Sequence, residues 1–187
     1  AAYQNFNREL QLYENPSEDP DATPNQKLVT NHFETTGNIY FNKNLQLEPV
    51  LSYETQSRKE FESIQEKSIN ESSLNLLLKT LTVDLKLNHN ITDIISGSAG
   101  LSLETQNNQT LGEEKLIPNF SSYDFGIYLM EKMEIKHFTF SMGGRYDIKN
   151  ENIKETIFET DKEGNPSKVI SPNDLNFNSF SGSAGLV

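Results

Sequence analysis

The stretch that decides the fold is residues 137–148, HFTFSMGGRYDI. Large apolar side chains occupy alternate positions, at Phe138, Phe140, Met142, Tyr146 and Ile148, and the positions between them carry Thr139, Ser141, Arg145 and Asp147. A period of two is the pattern of a β-strand whose two faces meet different surroundings. The sequence therefore predicts a strand here with one apolar and one polar face.

The same alternation recurs along the chain. Apolar and polar residues alternate over 45–54, 81–88, 95–104 and 125–129, and a last strand is predicted to begin near Phe180. Strands at about 1–14 and 27–41 follow the pattern less clearly. The phase slips near Leu77, Leu78 and Lys79, which predicts a β-bulge or a misplaced boundary. In total, the sequence predicts an all-β chain of about eight antiparallel strands.

The predicted connections alternate strictly between short and long. Short turns fall at 42–44, 88–92 and 134–136, and long polar loops fall at about 15–26, 58–72, 108–121 and 149–176. In bacterial outer-membrane barrels the periplasmic turns are short and the extracellular loops are long. We therefore predict transmembrane β-barrel strands, with the Phe138 face toward lipid and the Thr139 face toward the lumen.

The aromatic residues fit two interfacial girdles, which barrels place at both membrane surfaces. Tyr40, Phe41 and Phe138 fall near the predicted periplasmic ends, and Tyr53, Tyr123 and Tyr146 fall near the predicted extracellular ends.

Composition excludes several other classes. The net charge of −11 disfavours nucleic acid, which is bound largely through Lys and Arg. The absence of cysteine excludes disulfides and thiolate metal sites. An apolar fraction of 34% is low for a compact soluble core. No stretch reaches the roughly 20 apolar residues of a membrane helix, so a membrane role has to come through strands.

The sequence predicts no catalytic residue, metal site or cofactor, and hence not an enzyme. His32, His89 and His137 are interpreted as wall and turn residues, because His89 and His137 fall at the opposite strand ends from His32. Three acidic groups, at 18–21, at 113–114 and at 161–163, are interpreted as solvated loop surface. Arg145 and Asp147 share one strand face and are assigned to a polar barrel lining.

Four segments resemble the barrel of TonB-dependent outer-membrane receptors, most of all those of Bacteroidetes-type bacteria. They are LSYETQSRKEF at 51–61, QNN at 106–108 followed by LIPNF at 116–120 and YDFG at 123–126, GGRYD at 143–147, and FSGSAGL at 180–186. Their order and spacing across about 25–187 are more specific than any one of them.

This resemblance implies a partial barrel domain over 1–187. A complete receptor of that family has about 22 strands around a plug, and the plug is absent from this sequence. The resemblance also implies a place in the bacterial outer membrane, in contact with its lipid. It further implies capture of a small-molecule ligand by the extracellular loops, with TonB acting through the missing plug. The expected activity is energised uptake of a scarce ligand, such as an iron chelate (siderophore), haem, cobalamin or another metal complex.

Two other classes remain open from the sequence alone. About eight strands could form a complete small outer-membrane barrel that serves as an adhesin or anchor, since eight-stranded barrels with filled interiors exist. The chain could also be a soluble secreted β-sandwich that binds a partner. The sequence identifies neither the ligand nor the residues that contact it.

Overall fold

The computed structural model describes residues 1–11, 24–63, 67, 69–160 and 166–187, so the acidic groups predicted at 18–21 and 161–163 lie outside the described residues. The strands are β1 (Ala2–Gln11), β2 (Asn25–Thr36), β3 (Ile39–Asn42), β4 (Leu45–Phe61), β5 (Leu74–Thr92), β6 (Ile95–Thr110), β7 (Phe120–Ile135), β8 (Phe138–Ile153), β9 (Thr156–Thr160), β10 (Pro166–Ile170) and β11 (Asn173–Leu186). The predicted all-β architecture is confirmed. Among the described residues, no helix is both long and apolar enough to cross a membrane.

Eight strands form one antiparallel sheet in the order β1-β2-β4-β5-β6-β7-β8-β11. β3 pairs with β4, and β9 and β10 form a separate hairpin. The path is open, with β1 and β11 at its two ends. Strands β4 to β8 are joined at one end by the short turns 93–94 and 136–137, and at the other end by the long connections 62–73 and 111–119. The predicted alternation of short and long connections is therefore confirmed for these strands.

Two predicted turns were misplaced. β5 continues through 88–92, so the turn lies at 93–94 and His89 belongs to a strand. β7 continues to Ile135, and the turn at 136–137 includes His137, which was predicted to begin β8. The strand continues through 88–92 because Asn88 and Asn90 pair with Ser98 and Ser96 of β6 across the sheet. On a polar sheet face, asparagine does not end a strand.

The strands also extend further toward the long connections than predicted. β4 ends at Phe61, β6 at Thr110 and β8 at Ile153. The phase slip at 77–79 is not a bulge, since β5 pairs in continuous register with both neighbours there. The predicted loop 149–176 was wrong in part, because it contains the end of β8, the β9–β10 hairpin and the start of β11.

The strand predicted at 27–41 is divided in two by a local break. β2 ends with Thr36 opposite Val50, and β3 resumes with Ile39 opposite Leu47. Pro49 stands opposite the break, and proline has no N–H to donate to a neighbouring strand. The Gly37 N–H donates to the Pro49 carbonyl at 3.0 Å, so one hydrogen bond bridges the gap.

Apart from Gly126 near the middle of the sheet, the buried residues that the structure describes lie toward the end that carries the long connections. The two buried apolar side chains among the described residues are Phe61, 3% exposed, and Leu74, fully buried. The first five of the buried polar residues lie in strand halves next to the long connections, and the last lies in the β9–β10 hairpin. These residues are Asn25, Gln26, Asn108, Thr110, Ser122 and Thr156. The rest of the sheet has no core of the kind that soluble domains build.

Candidate functional site

The two faces of β8 differ as predicted. Phe138, Phe140, Met142 and Tyr146 are exposed on one face, whereas Thr139, Ser141, Arg145 and Asp147 are half-buried on the other. We call the first the outer face and the second the inner face. Directly paired residues of antiparallel strands share a face, so the register extends both faces across the whole sheet.

The outer face is an apolar belt with a sharp upper boundary. Leu51, Val83, Leu103, Phe125 and Ile148 are successive cross-strand partners within the belt. One row nearer the long connections lie Tyr53, Leu81, Thr105 and Tyr123, and the row after that carries Thr55, Lys79, Asn107 and Ser121. The belt therefore ends at a line of tyrosines followed by a polar row.

Tyr146 departs from the predicted girdle. It pairs with Ile127 and Phe180 inside the belt, and β8 continues well beyond it to Ile153. Its placement near an extracellular end was wrong because the end of β8 was predicted too early. Tyr53 and Tyr123 lie at the upper boundary of the belt.

The inner face is polar and mainly acidic. Its carboxylates are Glu34, Glu48, Glu54, Glu60, Asp84, Glu104, Asp124, Glu134, Asp147 and Glu151, and its cationic side chains are Arg8, Arg58, Lys86, Lys132, Arg145 and Lys149. Lys86 lies 3.4 Å from Glu48 across the β4–β5 pair. At the short-turn end of this face, a recess of about 360 Å³ is lined by Gln46, Asn88 and Ser98, among other residues.

Arg145 and Asp147 form a clamp across three strands of the inner face. The Arg145 Nε donates to both Asp147 oxygens, at 2.8 and 2.9 Å, and Nη2 donates to the Ser102 Oγ at 2.9 Å. The guanidinium crosses Gly126, where any Cβ would overlap it. Arg145 and Asp147 share one polar face, as predicted, and the contact of Arg145 with Ser102 depends on a glycine in the neighbouring strand.

The three histidines do not converge on one site. On the inner face, His32 lies 3.2 Å from Glu54 and 3.7 Å from Glu34. His89 lies on the outer face, and His137 is in a turn. The described part of the chain contains no group of three or more His, Cys, Asp or Glu residues arranged to hold a metal ion.

Sequence reasoning missed one polar pair within the apolar belt. The His89 Nε2 lies 3.2 Å from the Glu131 Oε1, and the pair spans Gly97 on the strand between them. Buried atoms on both partners, His89 Nδ1 and Glu131 Oε2, have no hydrogen-bond partner. The available signal was Glu131 itself, which continues the alternation of Phe125, Ile127 and Leu129.

The long connections pack against each other beyond the sheet. The Leu111 N–H donates to the Asn75 carbonyl at 2.7 Å, and the Glu114 N–H donates to the Ser73 carbonyl at 2.9 Å. Between these segments is a recess of about 520 Å³, lined in part by Glu62, Glu71, Glu113 and Glu114. The glutamates at 113–114, predicted as loop surface, therefore line a concave feature of the loops.

Comparison with solved structures finds a likeness in fold. The chain resembles the crystal structure of the ferric-catecholate import receptor Fiu from E. coli K12 in its open form, with a TM-score of 0.50 and 14% sequence identity. The match covers 88% of this chain and 32% of the receptor, so the chain spans about a third of that protein's length. Comparisons with protein-family models and with curated proteins find no match. The shared feature is the antiparallel sheet of a β-barrel receptor.

Proposed function

We propose that this chain forms part of the wall of a TonB-dependent receptor barrel in the bacterial outer membrane, and that the receptor imports a scarce small-molecule ligand. The observation that carries the proposal is the inverted distribution of polarity. Large apolar side chains are exposed on the outer face, and charged side chains cluster on the inner face. A soluble sheet would bury the apolar face, whereas a membrane barrel turns it toward lipid and keeps its interior polar.

The dimensions of the belt support the same assignment. On β8 the apolar positions run from 138 to 148, which is ten residue steps. At about 3.4 Å per residue, these steps span about 34 Å along the strand. A strand tilt of about 40° reduces this to a height of about 26 Å, close to the roughly 25 Å apolar band of outer-membrane barrels.

In this proposal, the long connections and the inner face have separate roles in uptake. Loops on the extracellular side, including the recess beside Glu113 and Glu114, would capture the ligand. The polar inner face would enclose a plug, through which TonB supplies energy. The Fiu receptor is described as an importer of ferric catecholates. By analogy, we propose a metal chelate such as an iron complex as the ligand class, with haem and cobalamin as the other candidates.

A topology experiment on the full-length protein tests the proposal. Single cysteines at Glu114, in a long connection, and at Lys43, in a short turn, would be exposed to a membrane-impermeant thiol reagent on intact cells. We expect labelling at Glu114→Cys and none at Lys43→Cys until the cells are lysed.

Two results would contradict the proposed function. Labelling only at Lys43→Cys would invert the topology. Recovery of the protein in the soluble fraction without detergent would contradict the proposed location in the membrane. A third cysteine at Glu113, which is exposed in the same connection as Glu114, controls for local reactivity.

A further inference from the structure

A small recess opens on the outer face where the apolar belt meets the polar row above it. Its volume is about 210 Å³, and its outward-facing lining residues are Tyr53, Lys79, Leu81, Thr105, Asn107, Ser121 and Tyr123. Tyr53 and Tyr123 are exposed at its two sides, and Leu81 continues into the belt below. The recess thus joins apolar surface on one side with hydroxyl, amide and ammonium groups on the other.

Lys79 is the cationic group of this recess. Its partners across the sheet are Thr55 and Asn107, so it stands in the first polar row above the belt. On strands β4 to β7, the outward residues in this row and in the row below carry no carboxylate. The Lys79 ammonium has no salt bridge or side-chain hydrogen bond with any residue that the structure describes.

This arrangement contrasts with that of other lysines in the sheet. Lys86, seven residues along the same strand, faces inward and lies beside Glu48. Lys59 donates to the Asn70 side chain, and Lys27 lies 3.8 Å from Glu9. In a chain of net charge −11, a cation without a carboxylate neighbour is available to an anion from outside the protein.

We infer that this recess binds the phosphate of an anionic lipid headgroup, with the acyl chains lying along the apolar belt. The inference rests on the proposed membrane location. Lys79 supplies the charge, and the hydroxyl and amide groups of Thr105, Asn107 and Ser121 supply neutral hydrogen-bond donors. Amphipathic tyrosine rings such as Tyr53 and Tyr123 favour the level of lipid headgroups.

A lipid fits the recess better than free phosphate for a geometric reason. The recess opens directly onto Leu81, and Val83 follows two residues further along the outer face of β5. A ligand that carries both a phosphate and acyl chains uses both surfaces, whereas inorganic phosphate uses only the polar one. Basic residues near a membrane surface attract anionic lipids by about 1 kcal/mol each.

The experiment uses the full-length protein in detergent micelles, with bound lipid counted by native mass spectrometry. The probes are phosphatidylglycerol, which is anionic, phosphatidylcholine, which is zwitterionic, and inorganic phosphate. We expect the wild-type protein to prefer phosphatidylglycerol and Lys79→Gln to lower its affinity for that lipid about five-fold, a change equivalent to about 1 kcal/mol. Lys79→Arg should retain most of the affinity.

Lys86→Gln is the matched control, because it removes a lysine from the same strand on the opposite face. Equal phosphatidylglycerol binding by wild type and Lys79→Gln, or an equal loss with Lys86→Gln, would overturn the inference. Full competition by millimolar inorganic phosphate would overturn the lipid assignment. Heat-modifiable gel mobility of each variant reports barrel formation separately, so failure of this site is distinguishable from failure of the proposed membrane function.

Discussion

The two ends of strand β5 differ in which of their side chains are buried. Toward the long connections, Leu74 is fully buried, and Leu76, Leu77 and Leu78 are half-buried without regard to alternation. Below Lys79, outward Leu81 is exposed while its inward neighbour Thr82 is half-buried. Within a few residues, β5 therefore changes from a segment whose side chains are buried on both faces, as in a soluble protein, to a segment with one apolar and one polar face.

This difference marks the boundary between the end of the sheet near the long connections and the apolar belt. At the end of β5 near the long connections, side chains on both faces are buried or half-buried, so apolar side chains are favoured on either face. In the belt, the outer-face residues that the structure describes stay exposed, and in the proposed membrane location lipid would cover these apolar side chains. The comparison predicts that apolar truncations destabilise one end of the sheet and that charge insertions destabilise the other.

The largest expected effect is at the buried end. Leu74→Ala should lower the free energy of unfolding by about 2–5 kcal/mol, because it leaves a cavity among packed side chains. Urea unfolding of the full-length protein in micelles measures this value. Leu81→Ala on the same strand is the control and should cost much less, since lipid or detergent refills the space at an exposed position. Equal losses at the two sites would mean that the two ends do not differ.

The next effect is at the middle of the belt. Leu85→Arg should cost about 2–4 kcal/mol, because its outer-face neighbours Pro49 and Leu101 offer no carboxylate and the charge would face lipid. Thr82→Arg places the same charge on the inner face of the same strand, beside Glu104, and should be tolerated. The reverse ranking in the same unfolding assay would exchange the assigned faces.

A smaller effect is expected on the inner face. Gly126→Ala should displace the Arg145 guanidinium and remove its hydrogen bond to Ser102, at a cost of about 1 kcal/mol. Gly143→Ala is the control, since a Cβ there would meet its nearest atoms at 3.4 Å. If both substitutions are neutral, the clamp does not contribute to the stability of the wall.

The smallest effect concerns pH. The Lys67 ammonium donates to the Glu9 carboxylate at 2.8 Å and holds the pKa of Glu9 below its ordinary value of 4.5. The contribution of this contact is present above the ordinary pKa and is lost as the pH falls through the lowered one. In an NMR titration of the full-length protein, Lys67→Gln should raise the pKa of Glu9, whereas Lys43→Gln should leave it unchanged. An unaltered titration in Lys67→Gln would argue against this ion pair.

The sequence was sufficient to predict the belt part of the fold. Alternation along β8 specifies both of its faces, because a period of two needs no knowledge of the neighbouring strands. The short turns and long connections then identify the direction of each strand. The resemblance to TonB-dependent receptors led to the same class of sheet that the structural comparison finds in Fiu.

The sequence was insufficient where tertiary contacts decide the outcome. The strand ends near Phe61 and Ile153 depend on pairing beyond the belt, where polarity no longer alternates. The Arg145–Ser102 bond depends on Gly126 in another strand. The recess at Lys79 combines residues of four strands that only the register brings together. None of these features leaves a local signal in the chain.

The central claim is that the apolar face of this sheet contacts lipid. Spin labels at each position from 138 to 148 of the full-length protein in liposomes test it directly, with the collision rate of dissolved oxygen as the measurement. We expect high oxygen accessibility at 138, 140, 142, 146 and 148 and low accessibility at 139, 141, 145 and 147. A flat profile, or high accessibility to a water-soluble nickel complex at Phe140, would contradict it.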